Sequence, residues 1–109
     1  MQIDVYLNLL ADVDEHASLF RSKIKECSLI EFRIMDLVAR YPDLCLNDIG
    51  QERSVFQQGI GRLAKRLHTR GLVEVVKNDR DSRAKHVILT DAGRLLRARC
   101  RRVLSEIVN

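Results

Sequence analysis

Between residues 54 and 73 the chain runs Ser54-Val55-Phe56-Gln57-Gln58-Gly59-Ile60-Gly61-Arg62-Leu63-Ala64-Lys65-Arg66-Leu67-His68-Thr69-Arg70-Gly71-Leu72-Val73. Phe56, Ile60, Leu63 and Leu67 recur at i, i+4, i+7 and i+11, the spacing of one face of an α-helix. The opposite face carries Gln57, Gln58, Gly61, Arg62, Lys65 and Thr69. Ser54 and Gln57 have the spacing of a capping box, in which the hydroxyl accepts the third helical N–H and the amide side chain reaches back to the cap. A helix should therefore start there, and Gly71 is placed to stop it in the left-handed conformation. Just upstream, Leu44 and Leu46 flank Cys45 in a short extended piece, and Asn47 can cap a brief helix over 48–53. Two short helices joined by a tight turn make a helix-turn-helix.

Downstream, Val73 and Val75 alternate with Glu74, and Val87-Ile88-Leu89 forms a second apolar run beyond the polar segment from Lys77 to Lys85. The pair reads as a hairpin with a long charged tip. Thr90 can cap a final helix whose positive end Asp91 favours. Leu96, Cys100, Val103 and Ile107 form a heptad stripe along it, and Arg94, Arg97, Arg99, Arg101 and Arg102 crowd the rest.

Upstream, Tyr6, Leu10, Val13, Ala17, Phe20, Ile24 and Cys27 alternate spacings of four and three, a heptad seam over one long first helix. Ser28 and Glu31 form a further capping box opening a second helix. That helix is apolar on nearly every side, so it should be the central buried one, and Pro42 ends it. The expected architecture is one mainly α domain over 1–109 with a small β-hairpin wing: a winged helix-turn-helix. Its parts are an N-terminal dimerisation helix (1–27), a core with the wing (28–90) and a C-terminal helix (91–109). A chain of 109 residues holds one core, and the surplus length of the first helix suits contact with a second copy.

Charge is divided unevenly along the chain. Residues 1–52 carry five Lys and Arg against ten Asp and Glu, and residues 53–109 carry fourteen against five. A basic half on an acidic frame is the footprint of phosphate binding, although basic side chains also solvate surfaces that bind nothing. His16, His68 and His86 share no metal-ligand spacing with a Cys or a carboxylate, and no phosphate loop or nucleophile elbow is present. Neither an enzyme nor a cofactor is expected. Three cysteines, Cys27, Cys45 and Cys100, with no Cys-x-x-Cys pair argue for reduced thiols packed as small apolar groups. Cys27 and Cys100 could instead sense oxidants if a low pKa and exposure made them reactive. Without a signal-like start or a long apolar run, the chain is expected in the cytoplasm with no membrane partner.

Ser28 to Leu96 resembles the MarR family of bacterial transcription regulators. Three features carry the resemblance: the ungapped run from Ile49 through Gly71-Leu72-Val73, the wing Asp79-Arg80-Asp81-Ser82-Arg83, and Leu89-Thr90-Asp91-Ala92-Gly93, which matches the family's Leu-Thr-x-x-Gly. The resemblance implies a homodimer acting on double-stranded DNA as a repressor at a pseudo-palindromic operator. Gln pairs bidentately with adenine and Arg with guanine, so Gln57, Gln58 and Arg62 are the expected base readers, with Lys65 and Thr69 on phosphates. Arg80 and Arg83 suit a narrow minor groove. By resemblance, Asp81 holds the wing tip by pairing with a neighbouring Arg. A solvated helix face and an exposed ion-paired turn are the plain alternatives for these groups, and a protein-binding adaptor is the alternative for the whole chain.

Several departures accompany the likeness. Phe56 stands where the family has a Ser or Thr cap, and the capping role moves back to Ser54. Gly59 and Gly61 replace residues that often touch DNA, at about 1 kcal/mol of helix propensity each relative to Ala. Close approach to DNA and tight packing on the preceding helix would each account for them. Family members are generally longer and close their dimer with an additional C-terminal helix. The dimer here is therefore expected to rest on Tyr6, Leu10, Val13 and Ala17 of the first helix with Leu96, Cys100, Val103 and Ile107 of the last, and a small-molecule effector pocket is the least secure of the implied features.

Overall fold

The computed structural model describes residues 2–41, 60–77 and 85–109. Helices α1 (Ile3–Lys23), α2 (Leu29–Arg40) and α3 (Ile60–Thr69) precede strands β1 (Val73–Lys77) and β2 (Lys85–Leu89), and α4 (Asp91–Val108) follows. The first short helix of the expected helix-turn-helix, the Ser54–Gln57 box and the wing tip all lie outside the described residues.

Helix α1 stops four residues short of the expected Cys27. Ile24 is already extended (φ −114, ψ 113), and its N–H still bonds to the Phe20 carbonyl. The capping box of α2 supplies the reason, because Ser28 must be extended (φ −81, ψ 165) to turn its hydroxyl onto the Glu31 N–H at 3.1 Å. The Glu31 carboxylate accepts the Ser28 N–H at 2.8 Å in return. Phe20, Ile24 and Cys27 do enter the core, but Cys27 arrives through the turn rather than along a helical stripe. Every described side chain from Gln2 to Glu15 is exposed, so the N-terminal half of α1 projects from the core.

Phe32, Ile34, Met35, Leu37 and Val38 bury α2 on most of its circumference, and the Phe32 ring stacks on Phe20 with centroids 5.8 Å apart. Ile30 is exposed, so one strip of α2 stays outside. Strands β1 and β2 pair antiparallel with Val73 opposite Leu89 and Val75 opposite Val87. Val73, Val87 and Leu89 point into the core.

Helix α4 closes the domain across α1, α2 and β2. Thr90 caps it, its hydroxyl accepting the Gly93 N–H at 3.1 Å. Gly93 is required by packing: a Cβ there would lie 2.0 Å from the Leu72 carbonyl oxygen. Leu96 and Cys100 are buried inside the chain's own core. That corrects their expected place at a dimer contact, because an inward-facing side chain has no surface left for a second copy. Among the described residues, no helix is long and apolar enough to cross a membrane.

Candidate nucleic-acid interface

Two ties hold α3 at its C-terminal end. Gly71 adopts φ +75, its N–H bonds to the His68 carbonyl at 3.0 Å, and the Leu72 N–H bonds to the Leu67 carbonyl at 2.9 Å. This pairing satisfies two carbonyls that a helix end leaves open, and only a residue without Cβ adopts that φ freely. Leu67 and Leu72 are both buried, and Ala64 is buried beside them. The inner face of α3 is thereby committed to the core.

Its outer face is free. Arg62, Lys65, Arg66 and Thr69 stand at i, i+3, i+4 and i+7, one stripe of a helix, and all four are exposed. With Arg70 they line a shallow groove of about 290 Å³. Among the described residues none of the three cations Arg62, Lys65 and Arg66 has an acidic partner within 4.0 Å. The structure thus brings the expected Arg62 and Lys65 together and adds Arg66, which the sequence reading passed over although it lies four residues from Arg62. Thr69 joins the stripe, but its hydroxyl donates to the Lys65 carbonyl at 2.9 Å. Bonding a phosphate would require giving up that contact, since a phosphate oxygen only accepts.

Gly61 is exposed, and among the described residues no atom lies within 4 Å of a Cβ built on it. Gln57, Gln58, Gly59, Arg80, Asp81 and Arg83 lie outside the described residues.

The arginines of α4 present a different picture. Asp36 accepts from Arg97 Nε at 3.1 Å and Arg101 Nη1 at 2.8 Å, with Arg40 at 3.6 Å. Burial alone would push the Asp36 carboxyl up, but Arg101 and Arg97 outweigh it and hold it below the usual carboxylate range. Arg99 Nη2 donates to Glu26 Oε1 at 3.1 Å, and this hydrogen bond holds the Glu26 carboxyl below its usual value. Arg94 is paired with Asp91 and also donates to the Leu89 carbonyl at 3.0 Å.

The predicted contact residues Leu10 and Val13 are exposed on α1, Ala17 is half-buried, and Val103 and Ile107 pack half-buried against the core. Tyr6 lies on α1. Ile3, Val5, Leu7 and Leu9 are exposed too. The heptad seam missed this breadth, although the run from Ile3 to Leu10 contains only Asp4 and Asn8 as polar interruptions.

Cys27 and Cys100 are both buried, with their sulfurs 3.7 Å apart. The hydrogen bond between them lowers the Cys27 thiol and raises that of Cys100. Among the described residues, no cluster of three or more His, Cys, Asp or Glu could hold a metal ion.

No curated protein matches the chain in sequence. Solved structures match its fold over nearly the whole length. An Escherichia coli MarR mutant complexed with operator DNA superposes with a TM-score of 0.82 at 17% identity, covering 97% of this chain and 78% of that one. Streptococcus pneumoniae FabT in complex with DNA gives 0.75 at 27% identity, covering 97% and 76%. The Streptomyces coelicolor regulator PcaV, bound to its natural ligand, gives 0.81 at 20% identity, covering 99% and 79%. The family model for the MarR family matches residues 28–84, more than half of the chain and a span that runs from the cap of α2 through α3 to the end of the hairpin tip, so the chain belongs to the MarR family.

Proposed function

We propose that this chain is a homodimeric transcription regulator, a repressor by family precedent, that binds double-stranded DNA with α3 in the major groove and the hairpin tip in the adjacent minor groove. The observation that carries this reading is the outer face of α3, where Arg62, Lys65 and Arg66 stand exposed with no acidic partner among the described residues, on a helix whose other face is committed to the core. A helix so presented suits groove entry, and each unpaired cation near a phosphate releases a condensed counterion. Arg62, with Gln57 and Gln58, would read base edges, while Lys65 and Arg66 would hold phosphates. Arg80 and Arg83 would enter the minor groove, with Asp81 bracing the tip.

The exposed apolar surface of α1 supports the dimer, because Ile3, Leu7, Leu10 and Val13 need a cover that no described residue supplies. Two copies related by a two-fold axis would address half-sites about one helical turn apart. A cleft of about 520 Å³ between α1, α2 and α4, lined by residues including His16, Phe32, Arg33 and Leu104, is where a small-molecule effector would sit. The reading needs no catalytic step and places the protein with the chromosome, in the cytoplasm of a bacterial-type cell.

Binding to a library of genomic fragments at two salt concentrations tests the proposal. A reproducible pseudo-palindromic preference, with affinity falling steeply as salt rises, is the expected result. Absence of any sequence preference at either salt would overturn it and leave the adaptor reading.

A further inference from the structure

Glu31 is the one buried charged side chain among the described residues, at 4% exposure. Its two oxygens serve different elements. Oε1 accepts the Ser28 N–H and completes the cap of α2, while Oε2 accepts from Arg70 Nη1 at 3.2 Å. Arg70 is the residue just after α3 and just before the left-handed Gly71.

On the other side of that turn the α4 cap takes hold. Thr90 Oγ1 donates to the Gly71 carbonyl at 2.6 Å, the Thr90 N–H donates to the Leu72 carbonyl at 3.1 Å, and Gly93 packs against that carbonyl. These contacts fix where α3 ends. Packing of its inner face holds α3 on the core, and this fixed end is the pivot about which it can tilt: at about 1.5 Å per residue α3 is about 15 Å long, and a tilt of about 10° moves its far end by about 3 Å. That displacement equals a whole hydrogen-bond length, enough to lose a base contact. The Glu31–Arg70 pair ties the same end of α3 to α2, and a second tie from a different direction sets the angle. Stability alone is a poor account of it, since the cost of removing a carboxylate from water offsets much of what such a pair gains.

We propose that Glu31 and Arg70 are positioning residues that set the tilt of α3 and thereby the half-site spacing the dimer accepts. This rests on α3 being the DNA-reading helix. Arg70 also lines the α3 groove, so its rival role is a plain phosphate contact.

Glu31→Gln separates the two roles by sign. Glutamine keeps the capping box, because its amide oxygen accepts the Ser28 N–H, but it removes the charge that holds Arg70. If Arg70 were a phosphate contact, freeing it would tighten binding to every duplex. As a positioning pair, its loss should weaken binding to the preferred operator by about ten-fold, with no loss on random duplex. The selected sites should also spread to neighbouring half-site spacings.

The experiment is a selection from duplexes whose half-sites are separated by varied spacers, run with wild type, Glu31→Gln, Arg70→Met and Arg70→Lys. Thermal unfolding of each variant is measured alongside. Broadened spacing in Glu31→Gln and Arg70→Met, with near-normal spacing in Arg70→Lys, is the expected result. Unchanged spacing in Glu31→Gln, with equal or tighter binding, overturns the proposal, as does an affinity loss that merely follows loss of folded protein. A wild type without sequence preference overturns the functional reading first and this inference with it; a wild type with preference and unaltered variants overturns this inference alone.

Discussion

Helices α3 and α4 are both basic, with three Lys and Arg on α3 and five arginines on the longer α4. Four of its five arginines, Arg94, Arg97, Arg99 and Arg101, are nonetheless paired with Asp91, Asp36, Glu26 and Asp36. The three cations of α3 at 62, 65 and 66 have no such partner among the described residues. The positive excess of residues 53–109 therefore has two destinations. On α4 it is neutralised by acids of α2, the α1–α2 turn and α4 itself, and fastens the domain together. On α3 it is left as an unbalanced field directed outward. Charge counts say that a chain is basic; pairing says where an anion would be received.

The joint between the two helices offers the largest effect. Gly93→Ala places a methyl group on the Leu72 carbonyl at a distance no relaxed structure tolerates, so α4 must shift from the end of α3. A loss of about 3 kcal/mol is expected in thermal or urea unfolding, as for an overpacked core site. Unchanged stability would show that the two helices are not locked there.

Smaller and opposite effects should follow on the two faces. Arg62→Ala should cost about 1–3 kcal/mol of binding to the preferred site and relax discrimination at particular base pairs, with folding stability nearly unaltered. Arg101→Ala should do the reverse, lowering stability by up to about 1 kcal/mol through the Asp36 cluster while operator affinity stays within experimental error. Equal affinity losses in both variants would erase the distinction drawn between the helices.

Acid should reveal the α4 network by itself. Because the folded-state pKa of Asp36 is depressed, its contribution to stability is fully present above the ordinary value of 3.8 and is lost as pH falls through the depressed one. Asp36→Asn should thus be about 1–2 kcal/mol less stable than wild type near neutral pH, with the gap closing in strong acid. A gap that stays constant down to the lowest pH at which the chain folds would contradict the account.

What could be read from sequence divides along the range of the interaction. Ser28 with Glu31, Gly71 after α3 and the Thr90 cap of α4 are local devices, and each appears where its position in the sequence put it. Glu31 with Arg70, and Asp36 with Arg97 and Arg101, join residues 39, 61 and 65 apart, which no local spacing encodes. The α1 seam misled in an instructive way. Its stripe is continuous from Tyr6 to Cys27, but the cap at Ser28 breaks the helix, and the stripe divides into an exposed part and a buried part. The same periodicity placed Leu96 and Cys100 on one line with Val103 and Ile107, although only a packed structure tells which end of that line turns inward. Gly93 was visible only as a motif letter; its reason is the Leu72 carbonyl.

The salt dependence of operator binding separates the cations of α3 from those of α4. For wild type, Lys65→Ala, Arg66→Ala and Arg97→Ala, the slope of log affinity against log salt counts the phosphates neutralised. Each α3 substitution should lower the magnitude of that slope by about one, while Arg97→Ala should leave it unchanged. A slope that falls with Arg97→Ala and holds with Lys65→Ala and Arg66→Ala would contradict that separation.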